Sequence, residues 1–99
     1  MFKCALDGIE IEIILSNHSR MRMAQRKISS QAVYGTIVAG LEQILDMKSG
    51  EDFVIVDRVS EATVVASVTS EGGDIYVEII TVVDNLYTYA RDGQKIINL

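Results

Sequence analysis

Residues 9–41 read IEIEIILSNHSRMRMAQRKISSQAVYGTIVAGL, and the change of rhythm inside this stretch decides the fold class. It opens with isoleucine and glutamate in alternation and then turns apolar through Ile13, Ile14 and Leu15, the period-2 signature of a strand with one buried face. Ser16 and Asn17 then offer an N-cap, and HSRMRMAQRK continues with good helix formers. On a helical wheel Met21, Ala24 and Ile28 share one side as a narrow apolar stripe, while His18, Arg22 and Arg26 fall along another face. Ser29 is a second N-cap, with Ile28 before it and Val33 placed to close a hydrophobic staple. Val33, Tyr34, Ile37, Val38 and Leu41 repeat at intervals of three and four, and Gly40 supplies a stop. This stretch therefore reads as strand, helix, helix.

Beyond it the pattern becomes β-rich, with strands expected at about 42–47, 53–59, 62–69 and 74–83, separated by turns at Ser49-Gly50, Ser60-Glu61 and Glu71-Gly72-Gly73. Asp92-Gly93 lies between two alternating arms in YTYARDGQKIINL, a short hairpin signal. The expected fold class is α+β, two short helices followed by a mostly antiparallel sheet, in the order β-α-α-β-β-β-β. The apolar phases of these segments predict a core of Met21, Ala24, Ile28, Val33, Ile37, Val38, Val54, Val56, Val64, Val77 and Ile79.

A chain of 99 residues and 10.9 kDa, 48% hydrophobic, suits one domain over 1–99 with one modest core. Its apolar runs are broken by charges well short of a membrane span, so no membrane association is expected. Asp7, Glu10 and Glu12 interrupt the segment where a signal peptide needs apolar residues, and Cys4 is the single cysteine, so the cytosol is the expected compartment and no internal disulfide can form. The net charge of −5 is unevenly spread. Between Glu12 and Glu42 no acidic residue occurs, and Arg20, Arg22, Arg26 and Lys27 give that window +4; the five basic and fourteen acidic residues elsewhere carry −9. Overall acidity opposes diffuse binding to polyanions, while leaving a local basic site.

The spacing of His18, Arg22 and Arg26 at i, i+4 and i+8 presents an imidazole and two guanidiniums on one helix face. An imidazole exchanges protons near neutral pH, and guanidiniums hold a phosphate and offset charge on its oxygens, so this set suits phosphoryl transfer. The same spacing also describes a solvated face whose arginines pair with carboxylates. A metal site is not expected, because His18 is the only histidine and no cysteine or carboxylate stands three or four residues after it. No cofactor motif is present, and Gly72-Gly73 lacks the lysine and helix of a phosphate loop. Tyr87, Tyr89 and Arg91 alternate along one strand face, where they could stack on bases and touch a phosphate, or equally cover a sheet edge.

The strand followed by H-x-x-x-R-x-x-x-R-x-I-S, a second helix and several strands resembles a bacterial family of RelE-like proteins, a domain of unknown function whose typical helix reads H-A-x-x-R-x-x-x-R-x-I-S. His18, Arg22, Arg26, Ile28 and Ser29 match in register, Ser19 replaces the alanine, and Ile80-Thr81-Val82 resembles the closing threonine strand of that family. The resemblance covers about residues 10–84. It implies a RelE-like fold, with two helices packed on a curved antiparallel sheet, within a superfamily that includes toxin ribonucleases and members that do not cut RNA.

Two functions follow. In the first, the chain is a metal-independent endoribonuclease in which His18 moves the proton, Arg22 and Arg26 hold the scissile phosphate, and Thr81 completes the site. Arg20, Lys27, Tyr87, Tyr89 and Arg91 would then contact RNA, and a cognate antitoxin is implied by analogy. In the second, the chain is a non-catalytic interaction module that docks its basic helix on an acidic surface, of another protein or of a second copy of itself.

Overall fold

Two pairs of left-handed residues set the tight hairpins of the sheet. Asp7 and Gly8 (φ 52° and 79°) and Gly72 and Gly73 (φ 60° and 89°) place both central turn residues at positive φ, as a two-residue hairpin loop matched to strand twist requires. A computed structural model describes residues 2–59, 61–84 and 94–99. In chain order its elements are β1 (Phe2–Leu6), β2 (Ile9–Leu15), α1 (Asn17–Arg26), α2 (Ser30–Ala39), α3 (Leu41–Leu45), β3 (Asp52–Asp57), β4 (Ala62–Glu71), β5 (Asp74–Val83) and β6 (Lys95–Asn98).

The strands form one six-stranded sheet in the order β1-β2-β5-β4-β3-β6. β1 with β2, β5 with β4 and β4 with β3 pair antiparallel, whereas β2 with β5 and β3 with β6 pair parallel. A parallel pair needs a long crossover, and the three helices, inserted between β2 and β3, form part of the one that joins β2 to β5. One sheet face carries Ile11, Ile13 and Leu15 of β2, Val77, Ile79 and Val82 of β5, Val64, Ala66 and Val68 of β4, and Phe53 and Ile55 of β3. Met23, Val33, Ile37, Leu41 and Ile44 cover that face from the helices.

Ile79 and Val82 both face this core because β5 holds an extra residue there. Ala66 pairs with Ile79 and Val65 with Thr81, which leaves Ile80 as a bulge. Strict alternation from Val77 and Ile79 would turn Thr81 toward the helices; the bulge reverses the phase and places Thr81 beside Val65 on the opposite face.

The α+β class expected from the sequence is the one observed, while its finer order is not. The sheet is mixed rather than mostly antiparallel, and the described order is β-β-α-α-α-β-β-β-β. Residues 42–47, expected as a strand, fall largely in α3, since Leu41, Ile44 and Leu45 stand at helical spacing and Gly40 (φ −97°, ψ 9°) bends the chain without ending its helical course. β1 has only one charged residue, Lys3, and so shows little of the alternation that reveals β2.

Met21 is 60% exposed and Ala24 is also exposed, in place of the expected burial. The wheel that joined them to Ile28 fails because Lys27 (φ 55°) ends α1 before Ile28; the buried residues of α1 are Ser19 and Met23, one helical turn apart. Val38 is likewise exposed, at 45%. Val54 and Val56 are buried as expected, yet they alternate with Phe53 and Ile55 and so point away from the main core, which makes β3 a strand buried on both sides. The arms around Asp92-Gly93 lie outside the described residues on their N-terminal side, and the C-terminal arm forms β6.

Ile37 is fully buried among the helices and sheet, so Ile37→Ala should lower the unfolding free energy by about 2–5 kcal/mol in urea denaturation. Met21→Ala, at an exposed site, should change it by less than about 0.5 kcal/mol.

Candidate functional site

The basic helix is held at its first turn by Ser16. The Ser16 hydroxyl accepts from the Ser19 N–H at 3.0 Å and donates to the Ile80 carbonyl at 3.2 Å, and the Ser16 N–H donates to the Ile79 carbonyl, also at 3.2 Å. One residue thus caps α1 and fastens it to β5 at the bulge. Ser19, buried beneath the helix, donates its hydroxyl to the Ser16 carbonyl at 2.8 Å, so its burial leaves no polar atom unpaired. At the other end Lys27 adopts the left-handed conformation, and the Ile28 N–H reaches back to the Met23 carbonyl at 2.9 Å.

Between these ends the expected catalytic residues separate. Arg22 Nε lies 3.5 Å from His18 Nε2, and Arg22 Nη1 lies 3.4 Å from Gln25 Oε1, all on the exposed side of α1. The imidazole nitrogen accepts in this long pair. Arg26 points elsewhere. Its Nε donates to Asp84 Oδ1 at 3.2 Å and its Nη1 to the Val82 carbonyl at 3.3 Å, beyond the point where β2 has left the side of β5. With three quarters of its side chain covered, Arg26 is a strut between α1 and β5.

Thr81 lies on the sheet face turned away from the helices, as its pairing with Val65 dictates, and so is not brought to His18 and Arg22. Arg20 and Lys27 are exposed; Arg20 Nε makes a long contact of 3.4 Å to the Leu15 carbonyl. Tyr87, Tyr89 and Arg91 lie outside the described residues. Arg20, Arg22 and Lys27 make no ion pair among the described residues, where the pairs are Lys3 with Glu10 and Arg26 with Asp84.

The opposite sheet face is acidic, a feature hidden from the sequence because parallel pairing creates it. β2 brings Glu12 beside Tyr76 of β5, and Asp74, Glu71 and Glu10 stand near the same phenol. Asp74 foremost, with desolvation and these other carboxylates, raises the Tyr76 pKa above its ordinary value. A shallow depression there is lined by Ile14, Ser67, Thr69, Glu71, Tyr76 and Glu78.

A cleft of about 280 Å³ opens where α1 meets α2, walled by Ile28, Ala32, Val33, Ala62, Val64 and Val82, with Lys27 and Ser29 at its mouth. Thr36 forms its inner end and shares its hydroxyl between the Ala32 carbonyl at 3.0 Å and Asp57 Oδ2 at 2.9 Å. Among the described residues, neither His18 nor an arginine lines it. Among the described residues no group of three or more histidine, cysteine or acidic side chains could hold a metal ion, and no helix is long and apolar enough to cross a membrane. A scan against protein-family models, a search of curated proteins and a search of solved structures each returned no match to this chain.

The two arginines should separate on mutation. Arg26→Ala should lower the unfolding free energy by about 1 kcal/mol, because it removes an ion pair and a bond to a strand carbonyl. Arg22→Ala should change it by less than about 0.5 kcal/mol in the same denaturation assay.

Proposed function

We propose that this chain is a RelE-like, non-catalytic interaction module that docks the exposed basic side of α1 on an acidic surface. The observation that carries this reading is the set of Arg20, Arg22 and Lys27, cations without an ion-pair partner among the described residues of a chain whose net charge is −5. Exposed guanidiniums keep their capacity for bidentate bonds to carboxylates, and Met21 between two of them adds an apolar contact at 60% exposure. The strand before α1 and the packing of α1 and α2 over one sheet face support the RelE-like part of the reading.

The ribonuclease reading keeps one specific support, the 3.5 Å approach of Arg22 to His18. It requires Arg26 and Thr81 as well. Arg26 would have to leave Asp84 and the Val82 carbonyl to reach a phosphate, and Thr81 would act from the far side of the sheet. A transition state gains most from groups already in place, and this arrangement offers two of the four.

Fluorescence anisotropy with labelled poly-L-glutamate tests the docking surface. Binding at low ionic strength should be lost in Arg22→Glu, kept in Lys48→Glu, and weakened by added salt. Equal binding by Arg22→Glu and wild type would refute the assignment. RNA incubated with the protein in EDTA, with and without translating ribosomes, should remain intact. Cleavage that falls by about 10²- to 10⁴-fold in His18→Ala would instead establish the nuclease.

A further inference from the structure

β1 ends the sheet on one side, and among the described residues nothing pairs with its outer edge. The two-residue turn at Asp7-Gly8 makes Leu6 and Ile9 the closing hydrogen-bonded pair, from which bonded and non-bonded pairs alternate along the ladder. Phe2, Cys4 and Leu6 therefore direct their backbone groups to β2, whereas Lys3 and Ala5 turn N–H and C=O outward. Such an edge is a template for another strand unless proline, charge or a bulge protects it. Here the only charge on the strand is Lys3, whose ammonium lies 3.9 Å from Glu10.

We propose that the chain forms a two-fold dimer by antiparallel pairing of β1 with β1 of a second copy, with Cys4 on the axis. In this register Lys3 and the partner's Ala5 exchange both backbone hydrogen bonds, and the symmetric pair repeats them. On the helix side, Phe2 lies opposite the partner's Leu6. The Phe2 ring stays stacked on Tyr34 of its own copy at 4.6 Å, and a groove of about 290 Å³ beside the edge, with Leu6, Val38 and Leu41 among its lining and Glu42 at its rim, leaves room for the second strand.

Charge selects the same occupant and register. On the other face each Lys3 stands opposite the partner's Ala5, whose neighbour on the next strand is the partner's Glu10, so each ammonium faces a carboxylate of the other copy. Pairing about Lys3 would set two ammoniums against each other. Pairing about Ala5 would run Lys3 against Asp7, whose φ of 52° has already carried the chain out of the strand. This dimer does not use α1, so its test and that of the docking helix can succeed or fail separately.

Gel filtration with light scattering in reducing buffer should give twice the 10.9 kDa chain mass. Diamide should then yield a reducible covalent dimer, because a non-hydrogen-bonded pair brings Cα atoms to about 4.5 Å, inside the roughly 4.4–6.8 Å range of a disulfide. Ala5→Pro removes an outward N–H and should abolish both the dimer and the cross-link while leaving the circular dichroism unchanged. Lys3→Glu, which sets a carboxylate beside Glu12 and the partner's Glu10, should also abolish the dimer at low salt and decides the matter if the proline variant does not fold. A monomeric wild type in reducing buffer would overturn the proposal and leave the edge for a strand of a different protein. A dimer that Lys3→Glu leaves intact, or that fails to cross-link through Cys4, would overturn it equally.

Discussion

The attachment of Ser16 to β5 is the constraint on which the rest of this architecture depends. Its N–H and hydroxyl bind the Ile79 and Ile80 carbonyls, which fixes where β2 stops, where α1 starts and how the helix crosses the sheet. The bulge at Ile80 belongs to the same device, because a strand that has lost its β2 neighbour can kink without breaking a ladder on that side. Beyond the bulge α1 takes over the edge, and Arg26 binds the Val82 carbonyl, a group that β2 no longer reaches. Helix and strand are thus joined at both ends of α1, which fits a helix whose own apolar contribution to the core is essentially Met23.

This attachment also sorts the charges. The strut role occupies Arg26, while Arg20, Arg22 and Lys27 remain on the solvent side. Parallel pairing of β2 with β5 gathers Glu10, Glu12, Asp74 and Glu78 on the opposite sheet face. Opposite charges separated onto two surfaces produce a field that orients encounters, and specificity against acidic or basic partners follows from which surface meets them.

Sequence rhythm revealed the elements that repeat a simple period. The Ile-Glu alternation of β2, the three-and-four spacing of α2 and the apolar runs of β3 to β5 all appear where they were expected. Features that depend on distant residues did not show. Asp84, the partner of Arg26, is 58 positions away, and the Ser16 contact to Ile80 spans 64. Thr81 illustrates the point most clearly, since one inserted residue moved it to the other side of the sheet, away from the helix it was expected to serve. Met23 lies outside the apolar stripe of Met21, Ala24 and Ile28, because its companion on the buried side of α1 is a serine, Ser19, which adds nothing to a hydropathy pattern.

The two motif arginines have different physical states, Arg26 bound to β5 and Arg22 held only by long contacts to His18 and Gln25 of its own helix. Hydrogen exchange of the arginine Nε–H groups, followed by NMR, tests this difference most directly. The Arg26 Nε–H should exchange much more slowly than that of Arg22, show contacts to Asp84, and lose this protection in Asp84→Ala. Equal and rapid exchange at both arginines would contradict it, returning Arg26 to the open helix face beside His18.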